Sequence, residues 1–422
     1  MKRIELNSGI ALNMINTNRF KTGCFSFNLL QPLQEQTASV NALIPSVLLR
    51  GCRSYPDMQS ISHRLDELYG ATVGSLVRKR GEVQSIGLYA DFLEDCYADN
   101  EPIFSQMMAF VRELLLEPCV DNGGFVPGYV SGEKQNLCNT IASRINDKRS
   151  YAISQLLKTM CRDEAYAVAR LGEAEELEAV DCENLYRHWM YLLSVSPIEI
   201  FYLGQQPEEK VLAEVQKLIN KLPLRDELVL ASTKVVLPDR PVQTVVEELD
   251  VTQGKLSIGF RTPITAHDSR YPALMLFNAI FGGSMTSKLF TKIREEQSLC
   301  YYASSSLDRT KGIMIVNSGI EFDKFEIAKS GILKQLELCQ NGDITEEEVS
   351  LAQNYLISNL RAYNDSPGQM DDFMTAQAIA GLTYTIEDLI CRIEAVTTEQ
   401  IVNAANTLIL DTIYFLKGGV EQ

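Results

Sequence analysis

The chain has 422 residues, too many for one ordinary domain and suited to two or three. Its 55 acidic and 39 basic residues give a net charge of −16, which argues against nucleic acid as a partner because nucleic acid is itself a polyanion. The ten cysteines are scattered and form no C-x-x-C pair, and the N-terminus is unlike a signal peptide. There is also no apolar run of about 18 residues. These features predict a cytoplasmic protein without membrane contact.

The two halves of the sequence carry the same elements in the same order, which indicates an internal duplication. Each half begins with an apolar strand and an apolar helix, followed by a helix end and a hairpin with alternating apolar positions. An amphipathic helix, a second long helix that carries Asn-Asp, and a final helix with a closing strand complete each half. In the first half these elements lie at 23–31, 38–51, 64–92, 103–118, 138–152 and 183–204. In the second half they lie at 254–263, 271–283, 292–322, 325–342, 355–369 and 399–418.

The segment between the halves contains three prolines and has no helical period, so it reads as a linker. The predicted organisation is a first domain at 1–221, a linker at 222–242 and a second domain at 243–422. Because strands and helices mix within each half, the predicted fold class is α+β. Each domain is expected to be an antiparallel sheet with helices packed on it.

Three stretches resemble motifs of the pitrilysin/insulinase family, the inverted-zincin metallopeptidases. They are "NALIPSVLLRGC" at 41–52, "SGEKQNLCNTI" at 131–141 and "FGGSMTSKLFTKIREEQSLCYYASSS" at 281–306. The family signature is H-x-x-E-H on a helix, in which two His bind zinc and the Glu takes a proton from the metal-bound water. A further Glu on a later helix completes the zinc ligands. The resemblance implies tandem α/β domains that form half of a clam-like chamber.

The zinc-binding positions of the family carry other residues in this sequence. With Gly51 aligned to the Gly that follows the signature, the two His positions fall on Ala42 and Ser46, and the Glu position falls on Pro45. The downstream Glu ligand falls on Thr140. Ala and Pro offer no side-chain donor, and neutral hydroxyls are poor zinc ligands, so no zinc is expected in this chain. A proline within a helix removes a hydrogen bond, so we also expect an altered backbone there.

The three histidines, His63, His188 and His267, are too far apart in the sequence for two of them to share a helix turn. His63 and Glu67 are one turn apart and offer two metal ligands or a solvated helix face. His188 reads as a packing residue and His267 as a loop residue.

The third stretch keeps the family pattern better than the first. The resemblance implies that Arg294 and Tyr301 reach across to the zinc site and bind substrate backbone and the developing oxyanion. The alternative is that Arg294 pairs with Glu295 or Glu296 and Tyr301 packs at a strand start. Three residues depart from the pattern, and one of them, Ser298, puts in question the turn geometry that would aim Tyr301. They are Lys288 in place of Arg, Ser298 in place of Gly, and Cys300 in place of Ala.

The resemblance therefore implies a catalytically silent subunit that binds peptide and completes the active site of a partner. The expected partner is a zinc-bearing peptidase chain of similar length, with zinc only in that subunit. Three alternatives remain open: a structural or assembly subunit, a peptide-binding homodimer without chemistry, and a metallopeptidase with an unorthodox metal site.

Overall fold

The computed structural model describes residues 2–226 and 228–419, and the chain forms two compact units that are both discontinuous in sequence. Unit 1 consists of the chain up to Ala142, Val168–Ser232 and Pro367–Ile379. Unit 2 consists of Ser143–Ala167, Thr233–Ser366 and the chain from Ala380 onward.

The strands in chain order are β1 (Lys2–Asn7), β2 (Ile10–Asn16), β3 (Thr22–Pro32), β4 (Thr72–Arg80), β5 (Val83–Leu93), β6 (Val120–Asp121), β7 (Gly124–Phe125), β8 (Ile198–Gly204), β9 (Gln243–Leu249), β10 (Gly254–Arg261), β11 (Tyr302–Asp308), β12 (Ile313–Ile320) and β13 (Ile409–Gly418). The helices are α1 (Glu35–Leu48), α2 (Met58–Glu67), α3 (Ile103–Leu116), α4 (Pro127–Ala142), α5 (Lys148–Met160), α6 (Cys182–Val195), α7 (Glu208–Ile219), α8 (Tyr271–Asn278), α9 (Phe325–Gln340), α10 (Glu346–Ala362), α11 (Pro367–Ala380), α12 (Ile386–Glu394) and α13 (Thr398–Ala405). Two π-helical segments, Ala279–Gly283 and Leu289–Glu296, follow α8.

The sheet of unit 1 has the strand order β1-β2-β8-β3-β5-β4, and that of unit 2 has the order β11-β12-β10-β13-β9. Neighbouring strands are antiparallel except for one parallel pair in each sheet, β2 with β8 and β13 with β9. The predicted α+β class with two similar α/β units is confirmed. The parallel strands β2 and β9 lie outside the predicted elements.

Strand β3 shows how the sequence pattern builds the core of unit 1. Its side chains alternate between the two sheet faces, as the period of two requires. Phe25, Phe27 and Leu29 are fully buried in the apolar core beside α1 and α3. Ser26 and Asn28 on the opposite face are also buried, but they are hydrogen-bonded there.

The predicted long helices that carry Asn-Asp are wrong in both halves, because each is interrupted. In the first half α4 ends at Ala142, and the carboxylate of Asp147 caps α5 by accepting from the backbone N–H groups of Arg149 and Ser150, both at 3.1 Å. In the second half α10 ends at Ala362, and α11 begins with Pro367. A proline at the first helical position lacks only an N–H that has no partner within the helix.

The helices that follow these breaks are exchanged between the units. Helix α5 of the first half packs on β10 and β13 in unit 2, whereas nearly all of α11 belongs to unit 1. The predicted division at 222–242 follows chain order, and the compact units differ from it by these exchanged segments.

Buried ion pairs tie both exchanged segments to their sheets. In unit 1, Asp371 on α11 accepts from the hydroxyl of Ser26 at 2.7 Å and pairs with Arg78 at 2.6 Å. In unit 2, Arg261 on β10 pairs with Glu164, just after α5, at 2.6 Å.

Candidate functional site

The three signature positions of unit 1 lie on α1 and carry no metal-binding groups. Ala42 and Pro45 are buried and Ser46 is half-buried. Pro45 lies within α1, which continues past it to Leu48. Pro45 therefore does not end the helix, although it supplies no backbone N–H to the preceding turn, and the expected alteration of the local backbone stays a prediction.

The fourth position, Thr140, lies near the end of α4, which packs against α1. An ion pair between Arg50 and Glu133 joins the end of α1 to α4. The hydroxyl of Thr140 donates to the backbone carbonyl of Asn136 one turn earlier, at 2.9 Å. The pair of helices expected from the resemblance is thus present, but the residues at the four positions do not fit zinc. A methyl group, a proline ring and two hydroxyls are not a zinc ligand set.

A neutral hydrogen-bond network lies beside these positions instead. The side chain of Asn41, adjacent to Ala42 on α1, donates to Gln84 Oε1 at 2.9 Å. Its Oδ1 lies 2.7 Å from Nε2 of His188 on α6, so that imidazole nitrogen is the donor. Burial lowers the pKa of His188, which favours the neutral ring. Sequence reasoning placed His188 correctly as a packing residue but had no signal for its partner.

The described part of the chain contains no group of three or more His, Cys, Asp and Glu residues able to hold a metal ion. His63 pairs with Glu67 at 3.2 Å, and both side chains are exposed. This is the solvated helix face that the sequence left as one of two interpretations. His267 lies exposed in a loop. That this chain binds no zinc stays a prediction.

In unit 2, Arg294 and Tyr301 line one cavity of about 300 Å³. Arg294 lies on the π-helical segment Leu289–Glu296, and Tyr301 immediately precedes β11. Tyr301 is 59% exposed, and its backbone N–H donates to Gly319 O at 2.8 Å. π-Helical turns are rare and occur frequently at functional sites. The structure thus places the two residues at one accessible surface.

Two contacts orient the guanidinium of Arg294. Its Cζ lies 4.6 Å from the ring centroid of Phe290, and its Nε lies 3.5 Å from Glu295. The pairing with a neighbouring carboxylate, which the alternative interpretation expected, is therefore present. Both side chains are substantially exposed, so this ion pair is weak and leaves the guanidinium able to bind a second acceptor.

The turn between these residues keeps a glycine-like backbone despite its substitution. Ser298, which stands where the family has Gly, has a φ of 51°, in the left-handed region. The backbone N–H groups on either side, those of Gln297 and Leu299, donate to Lys292 and Ile293 and close the helix end. The turn geometry that the sequence put in question is present.

The other two departures are buried. Lys288 is 6% exposed, and its ammonium group pairs with Glu348 at 2.8 Å inside unit 2. Cys300 is buried, and burial raises the pKa of its thiol, which keeps it neutral. Neither side chain offers a charged group to a ligand.

Within residues 2–226 and 228–419, no helix is long and apolar enough to cross a membrane. Residues 180–356 match the family model described as the peptidase M16 inactive domain. A solved structure of a conserved protein from Enterococcus faecalis V583 superimposes with a TM-score of 0.92 and 28% identity, covering 100% of this chain and 99% of that one.

Two proteins of Bacillus subtilis (strain 168) are also similar to the chain. The uncharacterized zinc protease YmxG is 21% identical over 241 residues, 56% of this chain and 58% of that protein. The protein described as probable inactive metalloprotease YmfF is 34% identical over 415 residues, 98% of this chain and 96% of that protein. With the α1–α4 helix pair and the two similar units, this relationship shows that the chain belongs to the M16, or pitrilysin/insulinase, family of metallopeptidases.

Proposed function

We propose that this chain is a catalytically silent M16 homologue that binds peptide and completes the active site of a zinc-bearing partner subunit. The observation that carries the proposal is a contrast within one chain. The four zinc-site positions of unit 1 have no metal-binding groups, whereas Arg294 and Tyr301 of unit 2 line an accessible cavity. A chain that had lost every role in the chemistry would have no need to keep both side chains accessible.

The cavity supplies donors suited to an extended peptide. A guanidinium and a phenol donate to backbone carbonyl oxygens and to a developing oxyanion. Glu321 and Glu295 also line the cavity and offer acceptors for peptide N–H groups. Lys324 beside them pairs with Glu321 at 3.0 Å, so the cavity wall carries both signs of charge. Such a wall suits the alternating donors and acceptors of a peptide backbone.

The partner in this proposal is a zinc-bearing M16 chain of similar length from the same organism. Bacillus subtilis encodes one relative described as a probable inactive metalloprotease and one described as an uncharacterized zinc protease, which supports a pairing of this kind. In the complex, the zinc of the partner supplies the metal chemistry. Arg294 and Tyr301 hold the peptide carbonyl against it.

The test is reconstitution with that partner. Cleavage of a quenched fluorescent peptide is measured for the partner alone, with the wild-type chain, and with Arg294→Ala, Tyr301→Phe or Arg162→Met. Arg162 is an exposed arginine of unit 2 that serves as the matched control. Losing one oxyanion donor costs about 10²–10³-fold in kcat, so Arg294→Ala should remove most of the stimulation and Arg162→Met none of it.

Three outcomes contradict the proposal. The first is no stimulation by the wild-type chain, and the second is full stimulation by Arg294→Ala. The third is cleavage by this chain alone with stoichiometric zinc that persists through dialysis. Light scattering measures the mass of the complex in the mixture, and a mass of one chain of each kind is expected. A stable homodimer that does not bind the partner argues for the homodimeric alternative.

A further inference from the structure

A second cavity of unit 2, of about 350 Å³, lies where three helices meet. The first turn of α8, the end of α12 and one face of α13 line it. Its volume is at the small end of ligand-binding cavities. The chemistry of the Arg294 cavity does not involve these helices.

The lining of this cavity combines positive charge with apolar surface. Two arginines, Arg270 and Arg392, line it, and there is no Asp or Glu among the described residues of the lining. This is unusual in a chain with a net charge of −16. Pro272 and Ala273 are buried and supply an apolar floor.

The two guanidinium groups are held in place differently. Arg270 pairs with Asp268 through Nε at 3.0 Å and Nη2 at 2.6 Å, so Nη1 remains outside the pair. The Cζ of Arg392 lies 5.0 Å from the ring centroid of Tyr384. No carboxylate of the described residues lies within ion-pair distance of Arg392. Asp388, one turn earlier, accepts from the N–H and hydroxyl of Thr385, both at 2.8 Å, and these bonds and, less strongly, the nearby charge of Arg392 lower the pKa of Asp388.

Helix α13 adds neutral donors on the opposite wall. The Oε1 of Gln400 accepts from Thr397 N at 2.9 Å in a capping box, which leaves the amide NH₂ of Gln400 as a donor. Asn403, three residues later on the same helix face, also lines the cavity. The N-terminus of α8 contributes a further partial positive charge.

We propose that this cavity binds a small organic carboxylate with a short aliphatic body. The carboxylate pairs with the guanidinium of Arg392, and Nη1 of Arg270 and the amide of Gln400 donate to its second oxygen. The aliphatic part lies against Pro272, Ala273 and Val396. The apolar floor distinguishes this ligand from inorganic phosphate, which has no part to place there.

The probe is hexanoate, with hexanamide as its neutral counterpart and inorganic phosphate as the purely anionic one. Binding to the full chain is measured by saturation-transfer NMR and calorimetry, with Arg392→Met as the site variant and Arg162→Met as the control. Hexanoate should bind at least about tenfold more tightly than hexanamide or phosphate, and Arg392→Met should weaken it by about the same factor. Arg162→Met should have no effect.

Equal binding of hexanamide would show that the charge has no role and would overturn the proposal, as would equal binding of phosphate. Unchanged hexanoate binding by Arg392→Met would also overturn it. If Arg392→Met lowers the melting temperature, Gln400→Ala and Arg392→Lys serve as replacement variants. Under the proposal, Gln400→Ala weakens hexanoate binding and Arg392→Lys retains part of the binding. Unchanged hexanoate binding by Gln400→Ala contradicts the proposal.

Discussion

The two units are built alike, but the family motif of each lies in a different element and is kept to a different extent. In unit 1 the helix that follows the first apolar strand has its signature positions filled by buried or neutral side chains. In unit 2 the segment that carries the third motif keeps Arg294 and Tyr301 at an accessible cavity. The residues at the zinc-site positions of unit 1 are neutral whether buried or not, whereas the departures in unit 2 leave Arg294 and Tyr301 at the surface.

The exchanged segments offer a second comparison between the units. Each is held by a buried arginine–carboxylate pair, but the surroundings differ. Arg261 of unit 2 is 3% exposed, and it contacts both Asp411 and Glu164 at 2.6 Å. Arg78 of unit 1 is 18% exposed. The deeper network should depend more strongly on its arginine, because an unpaired buried charge cannot be hydrated.

The largest expected effect is therefore that of Arg261→Met. We expect a loss of about 3–5 kcal/mol in the free energy of unfolding, since the change leaves buried carboxylates short of a partner. Arg78→Met should cost less, because water reaches that site. Urea denaturation with Arg162→Met as the control checks the order. An equal or larger loss for Arg78→Met would show that the exchanged helix of unit 1 is held at least as tightly as that of unit 2.

The response to acid should separate the two units. Burial lowers the pKa of His188 in unit 1, so the unfolded chain binds a proton at this residue more readily than the folded one. Stability from this residue is thus lost as the pH falls below its ordinary value of 6.5. In unit 2, burial raises the pKa of Glu164, but hydrogen bonds from Arg261 and Lys311 outweigh it and lower the pKa overall. That contribution is present above the ordinary value of 4.5 and is lost only as the pH falls through the lowered pKa.

The check is the free energy of unfolding at pH 7 and pH 5. The wild-type chain should lose stability over this interval, and His188→Gln should lose less, because Gln can still donate to Asn41 but does not titrate. His63→Gln, at an exposed histidine, is the matched control and should follow the wild type. If His188→Gln shows the same loss as the wild type, the neutral network beside α1 is not the acid-sensitive part of unit 1.

The local pattern of apolar residues predicted many of the strands and helices. The features that it missed depend on contacts between residues far apart in the sequence. Strands β3 and β10, the β4–β5 hairpin and helices α3 and α9 follow directly from the period of their apolar residues. The interruption at Asp147 was predicted as helix, although Asp is among the residues favoured at a helix N-cap. The exchange of α5 and α11 has no local signal at all, since it depends on ion pairs such as Arg78–Asp371 between distant parts of the chain.

The candidate site shows the same division. The motif spacing located Arg294 and Tyr301, and the structure places both at one cavity. The motif spacing did not predict that Ser298 would adopt the left-handed backbone of the glycine it replaces, because a residue with a side chain is disfavoured but not forbidden in the left-handed region. The network of Asn41, Gln84 and His188 was likewise not predictable, since it joins two helices and a strand.

The smallest expected effect concerns this turn, where a glycine should be the better residue. With φ at 51°, Ser298 carries strain that Ser298→Gly removes, so we expect a gain of about 0.5–1 kcal/mol in the free energy of unfolding. The matched control is Ser284→Gly, because Ser284 has a φ of −126° and ends the other π-helical segment. There glycine only adds freedom to the unfolded chain, so stability should fall slightly. Denaturant midpoints of the two variants should move in opposite directions, and equal shifts would mean that the turn before Tyr301 is not strained.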